Sequence, residues 1–262
     1  MAFNGKFKEA SLLKRIVDAL KSTIDKVNFD CSDAGIAVQC MDNSHVSLVS
    51  LLIQTDAFEE YNCAQTFTMG INLTHLSKIL KAIDNESTLT LSVKDKKDAV
   101  LKITSENGNK VIEFGLNLIN IEEESVEIPE LETGAKVTML SADFLRITKD
   151  FSALGDESVS IGANKTEVIF KSSGAMCETS MVLKKDEAVD ANTLEIECKQ
   201  EVAASFALKQ IAEFAKSASL ADKVALYIRA DSPITIEFMG EGCELKFYLA
   251  PKFDEGQPEA QE

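Results

Sequence analysis

The chain has no tryptophan, only three tyrosines (Tyr61, Tyr227, Tyr248), two histidines (His45, His75) and four prolines in 262 residues. Each shortage removes a class of function. With no tryptophan and all three tyrosines outside the basic helical stretches, there is no interleaved platform for stacking single-strand bases and no set of side chains for base readout. Two histidines argue against a histidine-based metal cluster, and no metal or cofactor is expected. The six cysteines (Cys31, Cys40, Cys63, Cys177, Cys198, Cys243) form no C-x-x-C pair and no zinc spacing, so they read as buried or half-buried free thiols of a reducing compartment. Ser44 and His45 are adjacent and would point apart in a strand, which disqualifies them as nucleophile and base. The nearest echo of a phosphate loop, Gly162-Ala163-Asn164-Lys165-Thr166, lacks the glycine before the lysine. Long apolar runs are missing too. Residues 46–53 are broken by Ser47 and Ser50, far short of the roughly 20 a membrane helix needs. The first 21 residues scatter Lys6, Lys8, Lys14 and Arg15 through their apolar positions and show no secretory signal. A soluble, intracellular protein without membrane contact is expected.

What is present is a large core and a surplus of acid. The chain is 45% hydrophobic and carries 43 acids against 27 bases, a net charge of -16. Its length suits one large or two medium domains. Strict alternation recurs in Val27/Phe29/Cys31, Leu89/Leu91/Val93, Ile112/Phe114/Leu116/Leu118, Leu194/Ile196/Cys198 and Ile234/Ile236/Phe238, separated by short polar breaks. This predicts antiparallel meanders of about sixteen to eighteen strands. Four segments have helical periodicity: residues 10–21, 72–82, 141–152 and 207–217, with Asn72 and Ser141 as expected caps. A shift of 135 residues lays Leu73, Leu76, Ile79 and Lys81 on Leu208, Ile211, Phe214 and Lys216, and a shift of 131 lays Leu13, Arg15 and Ile16 on Phe144, Arg146 and Ile147. The chain therefore reads as a duplicated β-rich α+β domain. Residues 121–133 hold six acids, no base and Pro129, as an extended connector would, and residues 252–262 read as an acidic disordered tail.

The bases are not spread evenly. With Glu9 counted in the first of them, the four helical segments together carry +4, so the remainder carries -20. If all four lie on one side of the sheets, they make a basic layer in an acidic protein, suited to non-specific contact with duplex phosphates. An acidic adaptor that binds only proteins, and an acidic β hydrolase using two of the 43 carboxylates, are the other classes this composition allows.

Three blocks, Met41-Asp42-Asn43-Ser44-His45-Val46-Ser47-Leu48, Met69-Gly70-Ile71-Asn72-Leu73 with Ser77-Lys78-Ile79-Leu80-Lys81, and Tyr248-Leu249-Ala250-Pro251-Lys252, closely resemble the eukaryotic DNA sliding clamp family, and the likeness runs through essentially the whole chain. The resemblance implies two clamp domains (1–117 and 135–251) joined by a connector (118–134), with a tail from residue 252. It implies three chains closed head to tail, helices lining the hole and antiparallel sheets outside. It places duplex-facing bases at Lys14, Arg15, Lys21, Lys78, Lys81, Lys110, Arg146, Lys149, Lys209 and Lys216. It places chain-to-chain pairing on residues 110–116 and 175–182, with Lys110, Ile112, Phe114, Leu116, Phe151, Leu154, Ala175, Cys177 and Val182 at the interface. It implies a pocket for short partner motifs made of Met41, His45, Val46, Leu48, Val126, Ile128, Pro129, Pro233, Tyr248, Leu249, Ala250 and Pro251, with Val126 standing where the family has leucine. Lys165 is the counterpart of the family's ubiquitin and SUMO acceptor, in a stretch one residue longer here. Expected partners are a second and third copy of the chain, duplex DNA irrespective of sequence, DNA polymerase, the clamp loader, flap endonuclease and DNA ligase. The expected role is a non-enzymatic processivity factor and recruitment platform for replication, repair and translesion synthesis, in the nucleus; Lys94-Asp95-Lys96-Lys97 is only a weak basic import run.

Overall fold

The computed structural model describes residues 2–122, 134–174, 177–185 and 194–252. The expected tail beyond Lys252 and most of the connector lie outside them. The first half runs β1 (Phe3–Phe7), α1 (Ala10–Leu20), β2 (Lys26–Ser32), β3 (Gly35–Met41), β4 (Ser47–Gln54), β5 (Glu60–Cys63), β6 (Phe67–Asn72), α2 (Leu73–Lys81), β7 (Thr88–Val93), β8 (Val100–Asn107) and β9 (Lys110–Asn117). The second runs β10 (Ala135–Leu140), α3 (Ser141–Ala153), β11 (Ser158–Ala163), β12 (Glu167–Ser173), β13 (Glu178–Lys184), β14 (Leu194–Cys198), β15 (Val202–Ala207), α4 (Leu208–Ala215), β16 (Lys223–Ile228), β17 (Ile234–Gly240) and β18 (Cys243–Leu249). The two halves share one order of strands and helices, as the repeated helix pattern requires.

The strands form three antiparallel sheets: β5-β1-β7-β8-β9, β13-β12-β11-β15, and a nine-stranded sheet β14-β10-β16-β17-β18-β4-β3-β2-β6. In the last, the strands of the second half that match β5-β1-β7-β8-β9 join the strands of the first half that match β13-β12-β11-β15. The joint is β18 on β4, in register from Cys243↔Ile53 to Leu249↔Ser47. Nothing in the alternation pattern shows that a sheet crosses between the repeats.

Alternation places Leu89, Leu91 and Val93, and likewise Ile234, Ile236 and Phe238, in the core at 3% exposure or less. On the nine-stranded sheet the Phe247 ring of β18 stacks on Phe214 of α4 at 4.4 Å. Burying one such ring stabilises the fold by about 1.5–3 kcal/mol. Gly70 of β6 is needed because the chain leaving β9 lies against it: the Ile119 amide donates to the Gly70 carbonyl at 2.9 Å, and a Cβ at residue 70 would sit 1.9 Å from the Ile119 oxygen. The Asn28 amide group holds the Ile121 carbonyl at 3.2 Å, so the start of the connector is fastened to the nine-stranded sheet.

Two local expectations change. Asn72 caps α2 as expected, accepting from the His75 amide at 2.9 Å, but Ser141 does not cap α3. It is the first helical residue, its hydroxyl buried without a partner, while its amide donates to the Asp222 carbonyl at 2.8 Å. The fourth helix ends at Ala215 and tightens into a 3-10 turn at Lys216–Ser219, which places Lys216 past the α-helix proper.

Candidate nucleic-acid interface and partner pocket

Each helix buries one stripe and turns the other outward. In α1 the buried positions are Leu13, Ile16, Val17 and Leu20; in α2 Leu73, Leu76 and Leu80; in α3 Phe144, Ile147 and Phe151; in α4 Leu208, Ile211 and Phe214. Helix α1 packs beside α2, α3 beside α4, and the 3-10 turn after α4 touches α1, α3 and α4. All four helices thus form one continuous layer. A hydrogen bond crosses the halves within it, from the Arg15 guanidinium to the Ser219 carbonyl at 3.0 Å.

The bases on this layer fall into two groups. Lys14 is tied to the Ile83 carbonyl and to Asn85 Oδ1, and Lys21 to Asp18 and, at 3.1 Å, to Ser77 Oγ. Arg146 pairs with Asp143 at 3.4 Å and Lys216 with Glu213 at 2.6 Å. By contrast Lys78, Lys81, Lys149 and Lys209 are exposed and make no ion pair among the described residues. Lys110 is exposed as well, but it begins the edge strand β9 and so stands off the helix layer.

The partner-pocket residues gather at one end of the β18–β4 joint. Met41, Leu48 and Tyr248 are directly opposite one another across β3, β4 and β18. Leu48 and Leu249 are buried, Val46 is 45% exposed, and Pro233 is half-buried just before β17. A groove of about 1070 Å³ runs from Val46 and the Leu249–Lys252 end to Leu145 and Lys149 of α3 and to Leu208 and Lys209 of α4. It therefore joins the apolar pocket to the basic layer. Val126, Ile128 and Pro129 lie outside the described residues.

The sequence reading overlooked the residue that shapes this end. Asp42, 7% exposed, accepts from the amides of Val46 (2.9 Å) and Ser47 (2.8 Å) and from the Ser44 hydroxyl. Burial pushes its carboxyl up, but the bonds from Ser44, Ser47 and Val46 outweigh it and hold the group below the usual carboxylate range. The loop it ties down carries His45 at φ 56° and presents Val46 outward. The signal was an aspartate followed at short spacing by amides of a polar turn. Ser44 spends its hydroxyl on Asp42, away from His45.

Among the described residues, β9 and β13 are edge strands of two different sheets. Ile112 and Phe114 are half-buried on β9, and Val182 of β13 is 42% exposed. Leu116 and Phe151 are 4% and 1% exposed, enclosed by their own half, so they back the surface instead of forming it; Leu154 is half-buried at the end of α3. Strand β13 begins only at Glu178, leaving Cys177 before it, and Ala175 is outside the described residues. Cys177 is also exposed, unlike the other five thiols.

Models of the proliferating cell nuclear antigen N-terminal and C-terminal domains match residues 2–127 and 127–253. The chain belongs to the proliferating cell nuclear antigen family. It is 39% identical over 256 residues to the proliferating cell nuclear antigen of Chaetomium thermophilum, covering 96% of this chain and 98% of that one. It is 62% identical to the crystal structure of proliferating cellular nuclear antigen from Entamoeba histolytica, with a TM-score of 0.91 over 96% of this chain and 99% of that one. The protein is thus a DNA sliding clamp and polymerase processivity factor of replication and repair, built from two clamp domains.

Proposed function

We propose that three copies close head to tail into a ring around duplex DNA, with the helix layer toward the phosphates and the sheets outward. The observation that carries this reading is the continuous helix layer with unpaired Lys78, Lys81, Lys149 and Lys209 in a chain of net charge -16. Such bases attract phosphate without reading a base edge, so contact is weak, salt-dependent and compatible with sliding. Arg15, Arg146, Lys14, Lys21, Lys110 and Lys216 add to the field.

Closure is supported by the duplication. Strands β18 and β4, which pair within the chain, are the counterparts of β9 and β13, which are edges. Pairing β9 of one copy with β13 of the next repeats a joint the chain already makes, and after three repeats every β9 and every β13 has a partner. Lys110, Ile112, Phe114 and Leu116 supply one side. Leu154, Ala175, Cys177 and Val182, with Phe151 behind them, supply the other. The domains divide at residues 118–134.

The pocket at Met41, His45, Val46, Leu48, Pro233 and Tyr248–Pro251, completed by Val126, Ile128 and Pro129, takes short motifs of DNA polymerase, the clamp loader, flap endonuclease and DNA ligase. The chain performs no reaction of its own and works in the nucleus, translesion synthesis included. Lys165 is the ubiquitin or SUMO acceptor; Asn164 Oδ1 accepts from the Thr166 and Glu167 amides at 2.9 and 3.0 Å and keeps the intervening lysine outward.

Light scattering on a sizing column tests the ring. Three 28.6 kDa chains give a mass of about 86 kDa. A stable monomer at micromolar concentration would remove encirclement and favour the adaptor. Reversing Lys78 and Lys149 to glutamate together is expected to cut processivity on primed circular DNA by about tenfold at low salt and by less at higher salt, with the mass unchanged. Unchanged processivity would refute the DNA-facing role.

A further inference from the structure

Cys31 and Cys63 take no part in the surfaces described above, and they belong to different sheets: Cys31 to β2 of the nine-stranded sheet, Cys63 to the edge strand β5 of the five-stranded one. The packing between the sheets brings them together. Tyr61 and Cys63, two residues apart on β5, share one face. The Tyr61 hydroxyl lies 2.6 Å from the Ser32 carbonyl and 2.7 Å from that of Gly35, and donates to this pair of oxygens in the turn that directly follows Cys31. Phe3 is the register partner of Cys63. Its ring packs on Tyr61 at 5.8 Å and on Phe67 at 6.1 Å, and Phe67 is the register partner of Cys31. Through Phe3, Tyr61 and Phe67 the two strands meet, and a thiolate at Cys63 opposes ionisation of Cys31, as both oppose ionisation of Tyr61.

Their exposures differ in a useful way. Cys31 is fully buried, whereas Cys63 is half-buried with its Sγ 3.4 Å from the Gln65 carbonyl. Burial pushes the Cys63 thiol up, and the Lys96 ammonium, which donates to the Thr66 carbonyl at 2.8 Å, works against that rise. Of these two thiols, a small oxidant therefore meets Cys63 first.

We propose that Cys31 and Cys63 form a reversible disulfide when hydrogen peroxide oxidises the protein, stapling the five-stranded sheet to the nine-stranded sheet. In the first step Cys63 sulfur attacks a peroxide oxygen; the O–O bond breaks, the sulfenic acid forms, and the thiol proton leaves with the departing hydroxide as water. In the second, Cys31 sulfur attacks the sulfenic sulfur; the S–S bond forms, the S–OH bond breaks, and the Cys31 proton leaves with that hydroxide as a second water. Two thiols lose two electrons and one peroxide becomes two waters. Because burial opposes ionisation of Cys31, the second step is the slower, and the sulfenic acid lives long enough to be trapped.

The full chain is treated with a small excess of hydrogen peroxide, quenched, denatured and alkylated. Intact mass is expected to show two fewer alkylated cysteines than the six of the reduced chain. Peptide mapping without reduction is expected to join the peptides holding Cys31 and Cys63, and dithiothreitol to restore all six. The oxidised chain is expected to melt about 5 °C higher, a gain that dithiothreitol removes. Cys63→Ser, at a half-buried position, should fold and form no link, while Cys31→Ser should leave Cys63 as a sulfenic acid that a dione reagent captures. Six alkylated cysteines after peroxide, or a bond between any other pair, would overturn the proposal.

Discussion

Strands β18 and β9 hold equivalent places in the two halves, and the pattern Leu245, Phe247, Leu249 repeats Ile112, Phe114, Leu116. Yet β18 is covered along its length by β4, while β9 is an edge of the described sheet. Leu245 and Phe247 are fully buried, whereas Ile112 and Phe114 are half-buried. The same alternation gives a core strand or an edge strand according to what lies beside it. Arg15 and Arg146 repeat the contrast: Arg15 reaches across the joint to Ser219, while Arg146, its counterpart, has its side chain 72% exposed and pairs with Asp143 of its own helix.

The comparison breaks most violently at the closed joint. Phe247→Ala is expected to remove about 3–5 kcal/mol of stability, read from urea unfolding, because a fully buried ring leaves a cavity. Phe114→Glu, at the equivalent open position, is expected to drop the solution mass to the 28.6 kDa monomer and abolish processivity while the chain stays folded. A trimer surviving that change would end the equivalence of the two joints.

Asp42, at the end of the joint, sharpens the comparison next. Asp42→Asn should cost about 1.5–3 kcal/mol, since several bonds to a charged acceptor are weakened, and should lower the affinity of partner-motif peptides roughly tenfold. Its folded pKa is depressed, so its contribution is complete above the unfolded value of about 3.9 and is lost as pH falls through the folded value. An acid titration of the wild type should therefore show a stability loss that Asp42→Asn lacks. The smallest effect separates the two arginines. Arg15→Ala should cost about 0.5–1 kcal/mol of chain stability and Arg146→Ala close to none, as measured by thermal unfolding.

Much of this was legible beforehand. Helix periodicity found all four helices, because the stripes of Leu73, Leu76 and Leu80 or of Phe144, Ile147 and Phe151 arise from one helix burying one side. The duplication showed in those stripes, and Asn72 was recognisable because an N-cap is a local hydrogen bond. Ser141 misled for the opposite reason: the neighbouring Asp222 carbonyl, brought in from far along the chain, took the amide. Asp42 passed unremarked because its value lies in donors from three residues that only a folded turn brings to one carboxylate.

By itself the sequence determined the strands, the helices, their duplication and the concentration of base on the helices. These follow from side-chain period and composition, which act over a few residues. Only the tertiary structure decided that the four helices meet in one layer, that one sheet runs through both halves at β18 and β4, and that Lys78, Lys81, Lys149 and Lys209 stand unpaired while Lys14 and Lys21 are held. It alone brought Tyr61, two residues from Cys63, onto the turn that follows Cys31. Each of these depends on which distant groups become neighbours, and contact between residues far apart in the chain is settled by packing, where local period carries no information.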